Sequence, residues 1–184
     1  KKKLKVINLN IPNPPRGYIL VKLKYSGVCH TQLNEINGLL GKDKYLPHCM
    51  GHEGTGEVIK IGKGVKNFKV KDKVVISWIK SSNIKKFQPI NYMDKIKKIN
   101  SGGCNTLMNF SLVTEDRLYK LSNKNHFLRE SILLGCAIPT AANAIINIAK
   151  VSKNSKVLIM GMGGLGYSSL IILNYLKCKN VTCI

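Results

Sequence analysis

The sequence predicts a small, mainly β barrel followed by the opening of a doubly wound α/β sheet. Three observations carry that reading. About the first 80 residues form short segments of alternating apolar character, separated by Gly- and Pro-rich turns. From Phe127 onward the apolar spacing becomes helical. The apolar run Lys156–Met160 then leads directly into Gly161-Met162-Gly163-Gly164-Leu165-Gly166, a helical pattern over Leu165–Leu176 and a second strand at Asn180–Ile184. Strand, glycine turn, helix and strand make the first unit of a dinucleotide-binding sheet.

Taken in order, Lys1–Asn10 alternates weakly and predicts an edge strand. Pro12, Pro14 and Pro15 make Ile11–Gly17 a turn. Tyr18–Ser26 sets Ile19, Val21, Leu23 and Tyr25 on one face, the pattern of a half-buried strand. Thr31–Asn37 predicts a short helix. Gly56–Ile61 and Lys73–Trp78 predict strands, joined through Gly62, Gly64 and the polar segment Val65–Asp72, with Trp78 in the barrel core. Ser81–Gly103 is lysine-rich and shows no period. Ser111–Leu121 predicts a strand, Phe127–Leu134 and Thr140–Lys150 helices, and His126 a surface residue. The domain boundary is expected near Leu134–Ala144.

At 184 residues the chain holds one full core, or one domain and part of another. No apolar run approaches the ~18 residues of a membrane span. The opening lysines lead into Asn and Pro, not an apolar signal core, so a cytoplasmic protein is expected. The chain begins with Lys in place of Met, so further sequence is expected before it. The net charge of +21 raises the question of nucleic acid. However, lysine outnumbers arginine 27 to 3, and the lysines are scattered with few aromatics among them to stack on bases. That spread fits an AT-rich coding sequence better than a nucleic-acid groove. Six cysteines follow no disulfide framework, and no Cys-x-x-Cys occurs.

The chemistry-bearing stretch is Leu46–Gly62, where Gly51, Gly54 and Gly56 bracket His52-Glu53. Upstream lies Gly27-Val28-Cys29-His30-Thr31. Cysteine thiolate and imidazole suit zinc, yet one such pair at this spacing fits core packing equally well. The glycine motif sits between a strand and a helix, the context that dinucleotide binding requires. There Gly161 permits the tight turn, Gly163 lets a pyrophosphate approach the backbone, and Gly166 packs helix on strand. Amides around Gly164 and Leu165 supply the anion site.

GVCHTQ at 27–32 and LPHCMGHEGTGEVIKIGKGVKNFKVKDKVV at 46–75 resemble the zinc-dependent medium-chain alcohol dehydrogenases, and the resemblance runs from Gly17 to Ile184. It implies a GroES-like zinc-binding domain over residues 1–135 and the start of an NAD(P)-binding Rossmann domain over 136–184. It implies one catalytic zinc on Cys29, His52 and Cys136, the last in a Leu-x-Gly-Cys motif; the residues alone would make Cys136 a small buried hydrophobe. Glu53 is implied as a neighbour of the zinc or an occasional direct ligand. Thr31 is implied as the proton relay, His30 as a contact to the coenzyme pyrophosphate, and Thr140 as a contact near the nicotinamide. Relatives with a structural zinc carry four close cysteines after the barrel strands; only Cys104 stands here, so no structural zinc is expected. Gln32 replaces a common Asp, and Asn34 a His that ends the relay in some members. His48 and Cys49 have no family role and read as packing.

The implied activity is hydride transfer between an alcohol, aldehyde or ketone and a nicotinamide coenzyme, by a homo-oligomer at full length that binds neither specific nucleic acid nor membrane. NAD is expected over NADP, because the family commonly ends the second strand with an acidic residue, here the one after Ile184. The 184-residue piece alone is expected to be inactive. Two alternatives stand beside this reading: a non-catalytic remnant or basic binding module, and a zinc-free reductase of the same superfamily.

Overall fold

Tyr18–Ser26 forms β1, with the bounds its alternation predicts. The computed structural model describes residues 4–81, 90–95, 97–122 and 128–184, so His126 and Phe127 lie outside it. Two compact units, Lys1–Ile132 and Leu133–Ile184, make up the chain.

In the first unit, β1 pairs antiparallel with β2 (Gly54–Ile61), and β2 with β3 (Lys73–Ile76). A hairpin of β4 (Asn91–Asp94) and β5 (Lys97–Asn100) stands apart. Ser111–Leu121 is two strands, not one: β6 (Phe110–Thr114) and β7 (Leu118–Lys120), broken by a 3₁₀ turn at Glu115–Arg117. The sheet order is β6-β1-β2-β3-β7. That order makes the sheet curl. Four spacings of ~4.8 Å would put the edge strands roughly 19 Å apart if flat. Three residues at ~2 Å rise cannot cross that gap. One cluster accordingly takes Ile19 and Val21 from β1, Val58 from β2, Val74 and Ile76 from β3, Val113 from β6 and Leu118 from β7.

The other face of β1 is also used. Tyr18 and Leu20 pack with Tyr92 and Leu112, and with Leu9, Ile11 and Cys49. The Tyr92 hydroxyl donates to Asn105 Oδ1 and accepts the Leu112 N–H, so this buried polar group is satisfied. Burial on both faces explains why β1 is not the one-sided strand its pattern predicts, and Tyr25 at its end is exposed. The edge strand expected over Lys1–Asn10 does not form among residues 4–10; only Asn10 bridges to Met93. Trp78 lies past the end of β3 and is half exposed, which corrects its placement in the core.

In the second unit, α2 (Ala137–Ala142) continues with π winding over Asn143–Ile148. β8 (Lys156–Ile159) and β9 (Asn180–Cys183) pair in parallel, with α3 (Gly164–Tyr175) as their crossover. Ile145, Ile159, Leu173 and Cys178 form its core. β8 is less buried than its apolar sequence predicts, and Leu158 is exposed, because among the described residues β8 pairs with β9 alone. No helix among the described residues is long and apolar enough to cross a membrane.

Candidate metal and coenzyme sites

Cys29 occupies the N-cap of α1 (His30–Ile36), in extended backbone. Seven residues are marginal as an isolated helix, so α1 depends on its anchors. One is Gln32, the only buried residue of α1, whose Oε1 accepts the Cys29 backbone N–H at 2.8 Å. His30 and Thr31 face solvent in the first turn, and the Cys29 thiol donates to Thr31 Oγ1 at 3.6 Å.

His52 and Glu53 immediately precede β2 and end a segment that Gly51 turns at φ +93°. His52 Nδ1 lies 2.6 Å from Gln32 Nε2, while its Nε2 is buried with no hydrogen-bond partner among the described residues. Burial lowers the His52 pKa, favouring the neutral imidazole that metals bind. Glu53 is 5 % exposed, its Oε2 also lacks a partner among the described residues, and burial raises its pKa. A Cβ at Gly27 would stand 2.7 Å from the Glu53 carboxyl carbon, so Gly27 makes room for that side chain. Two buried orphan atoms on adjacent residues break the rule that buried polar groups find partners. A cation is the partner that both an imidazole nitrogen and a carboxylate oxygen would accept. Cys29, His52 and Glu53 thus fit a zinc in donor type, and His52 and Glu53 also in unmet bonding.

In the second unit Cys136 forms the N-cap of α2, and its carbonyl accepts both the Thr140 N–H and the Thr140 hydroxyl, the latter at 2.7 Å. Gly161 has φ +91°, and a Cβ on Gly166 would sit 2.1 Å from Gly161 O, a contact only glycine tolerates. Gly163 and Gly164 have open space around them. The first intrahelical bond of α3 runs from Tyr167 N to Gly163 O, leaving the amides of Gly164, Leu165 and Gly166 without carbonyl partners in the helix. Gly164 and Leu165 are exposed there, at the positive end of the helix dipole.

One cluster escaped the sequence reading. His48 Nε2 lies 2.7 Å from Asp43 Oδ2 and 3.1 Å from Glu35 Oε1, and its Nδ1–H donates to Cys49 O at 2.8 Å. Burial pulls the His48 pKa down, but the Cys49 carbonyl, Asp43 and Glu35 outweigh it and leave the value raised. The charged clip ties α1 to the loop that leads to His52. Its stability contribution is fully present below the unfolded histidine pKa of ~6.5 and is lost as pH rises through the higher folded value. The unfolding free-energy difference between wild type and His48→Gln should therefore shrink by up to ~1 kcal/mol from about pH 6 to about pH 8.5. Urea titrations showing a pH-independent difference would contradict a charged clip.

The curled five-stranded antiparallel sheet is that of a GroES-like domain. Residues 15–123 match the family model "Alcohol dehydrogenase GroES-like domain", and the chain belongs to the zinc medium-chain alcohol dehydrogenase family. It is 27% identical to an S-(hydroxymethyl)glutathione dehydrogenase of Photobacterium damsela subsp. piscicida, over 89% of this chain and 50% of the relative. It is 29% identical to an alcohol dehydrogenase class-3 of Drosophila melanogaster, over 90% of this chain and 50% of the relative. The structure matches benzyl alcohol dehydrogenase from Acinetobacter calcoaceticus with a TM-score of 0.79 at 25% identity, covering 95% of this chain and 53% of that one. The chain spans about half the length of these relatives.

Proposed function

We propose that the chain is the zinc-binding domain and first coenzyme-binding unit of an NAD(P)-dependent alcohol dehydrogenase. The observation that carries this is the buried, unpartnered His52 Nε2 in the same domain as the helix-capping Cys29 thiol. Cys29 and His52 are two ligands, and Cys136 is the third by its place in the Leu-x-Gly-Cys motif. Bound zinc would polarise the substrate oxygen. Thr31, beside Cys29, would relay the substrate's hydroxyl proton, accepting it while passing its own to water; a bound nicotinamide coenzyme would supply the hydride acceptor, so that the alcohol, losing two electrons, would become an aldehyde or ketone. Glu53 adds buried negative charge close to His52 and offers a further oxygen ligand. The amides of Gly164, Leu165 and Gly166, beside Gly161 and Gly163, would hold the coenzyme pyrophosphate. His30 is the proposed further pyrophosphate contact, and Thr140 the proposed contact on the nicotinamide side.

The substrate is a small alcohol or its aldehyde, the coenzyme NAD before NADP, and the working form a homo-oligomer in the cytoplasm. Residues 1–135 and 136–184 are the proposed domain limits. With a single βαβ unit, the 184-residue piece alone should transfer no hydride, because transfer requires a positioned nicotinamide. The full-length protein should reduce NAD in the presence of simple alcohols and contain one zinc per chain. A zinc-loaded full-length protein inert toward a broad alcohol and aldehyde panel would refute the enzymatic reading. Tighter binding of NADP than NAD would refute the coenzyme assignment alone.

A further inference from the structure

Gln32 is 3 % exposed and touches two residues of the candidate metal centre. Its Oε1 accepts the Cys29 N–H at 2.8 Å, and its Nε2 lies 2.6 Å from His52 Nδ1. Chemistry decides which end of the amide faces which partner. A backbone N–H only donates, so the oxygen faces Cys29. The NH₂ group then faces His52, and because it too only donates, Nδ1 must accept. A neutral imidazole whose Nδ1 accepts carries its proton on Nε2. Nε2 is the buried nitrogen with no partner among the described residues, the atom a metal would need, and in this tautomer it has no free lone pair.

A carboxylate at this position would meet no such conflict. One oxygen would accept the Cys29 N–H and the other an Nδ1–H, leaving the Nε2 lone pair for the metal, as ligating histidines normally require. The amide cannot do both. Flipped to accept from Nδ1, it would turn its NH₂ toward the Cys29 N–H, donor against donor.

We propose that Gln32 is a positioning residue that weakens metal binding, holding the metal-free His52 in its Nε2–H tautomer so that ligation requires a proton shift and an amide flip that strands the Cys29 N–H. This rests on the reading of Cys29 and His52 as zinc ligands. The test uses the 184-residue chain with ¹⁵N-labelled histidine. Long-range ¹H–¹⁵N correlation of the metal-free protein should show His52 protonated on Nε2 in wild type and on Nδ1 in Gln32→Glu. Competition with a chromophoric chelator should show Gln32→Glu binding zinc at least ~10-fold tighter than wild type. Leu33→Glu, an exposed charge one residue along, should change affinity by less than about threefold at ~0.15 M salt. An Nδ1–H tautomer in wild type overturns the inference, and so does equal tightening by both variants. Zinc bound by neither wild type nor Gln32→Glu overturns the zinc reading together with it. Should Gln32→Glu fail to fold by circular dichroism, the wild-type tautomer still decides.

Discussion

Replacing Cys29 with serine removes zinc from the protein and, at full length, abolishes alcohol-dependent reduction of the coenzyme. The thiolate contributes both charge and softness to the metal, and a neutral hydroxyl replaces neither. Residues that merely support a ligand cost 10–100-fold in affinity when lost, so loss of a ligand itself should cost more than about 100-fold. The fold should survive. Cys29 is an N-cap, and serine is among the best residues for that position. Its backbone N–H would still donate to Gln32. Zinc content by metal analysis should therefore collapse, while the urea midpoint of the metal-free protein moves by the equivalent of less than ~0.5 kcal/mol. Zinc retained near one equivalent in Cys29→Ser would contradict the site.

Gly51→Ala should instead damage the scaffold, by about 3 kcal/mol. At φ +93° the backbone is in the region that disfavours any Cβ. A Cβ there would also come within 2.5 Å of Thr106 Oγ1 and 2.6 Å of Leu107 N. Backbone must move to relieve that contact, and the amides involved are those that Thr106 and Leu107 donate to Met50 O. His52 follows directly, so zinc affinity should fall with stability. Urea denaturation losing less than ~1 kcal/mol would show that the segment yields more easily than its contacts imply.

The sequence made legible what rests on period and on rigid motifs. β1 is bounded where its alternation starts and stops, α1 begins one residue before its expected start, and the glycine turn stands between β8 and α3. Elements held by distant partners were not legible. The β4–β5 hairpin lies in lysine-rich sequence and is fastened by Tyr92, buried against residues far along the chain. The break between β6 and β7 follows from the curl of the sheet, although the polar run Glu115-Asp116-Arg117 was a local sign of it. The His48 clip joins residues 35, 43 and 48 across an irregular loop, where no periodicity applies. Gln32 was visible only as a departure from the family's Asp. Its bond to Cys29 could have been found, because Cys29-x-x-Gln32 has the spacing of a capping box. Its contact with His52 could not, since that pairing crosses from helix to strand entry.

The most direct test of the central claim is X-ray absorption at the zinc edge of the metal-loaded chain, wild type and Cys136→Ser side by side. The metal-loaded wild type should hold one zinc per chain with two sulfurs at ~2.3 Å and one imidazole nitrogen at ~2.0–2.1 Å, the remaining position filled by a light atom. Cys136→Ser should lose one sulfur from that shell. A shell with no sulfur, a four-sulfur shell, or a spectrum unchanged by Cys136→Ser would contradict it.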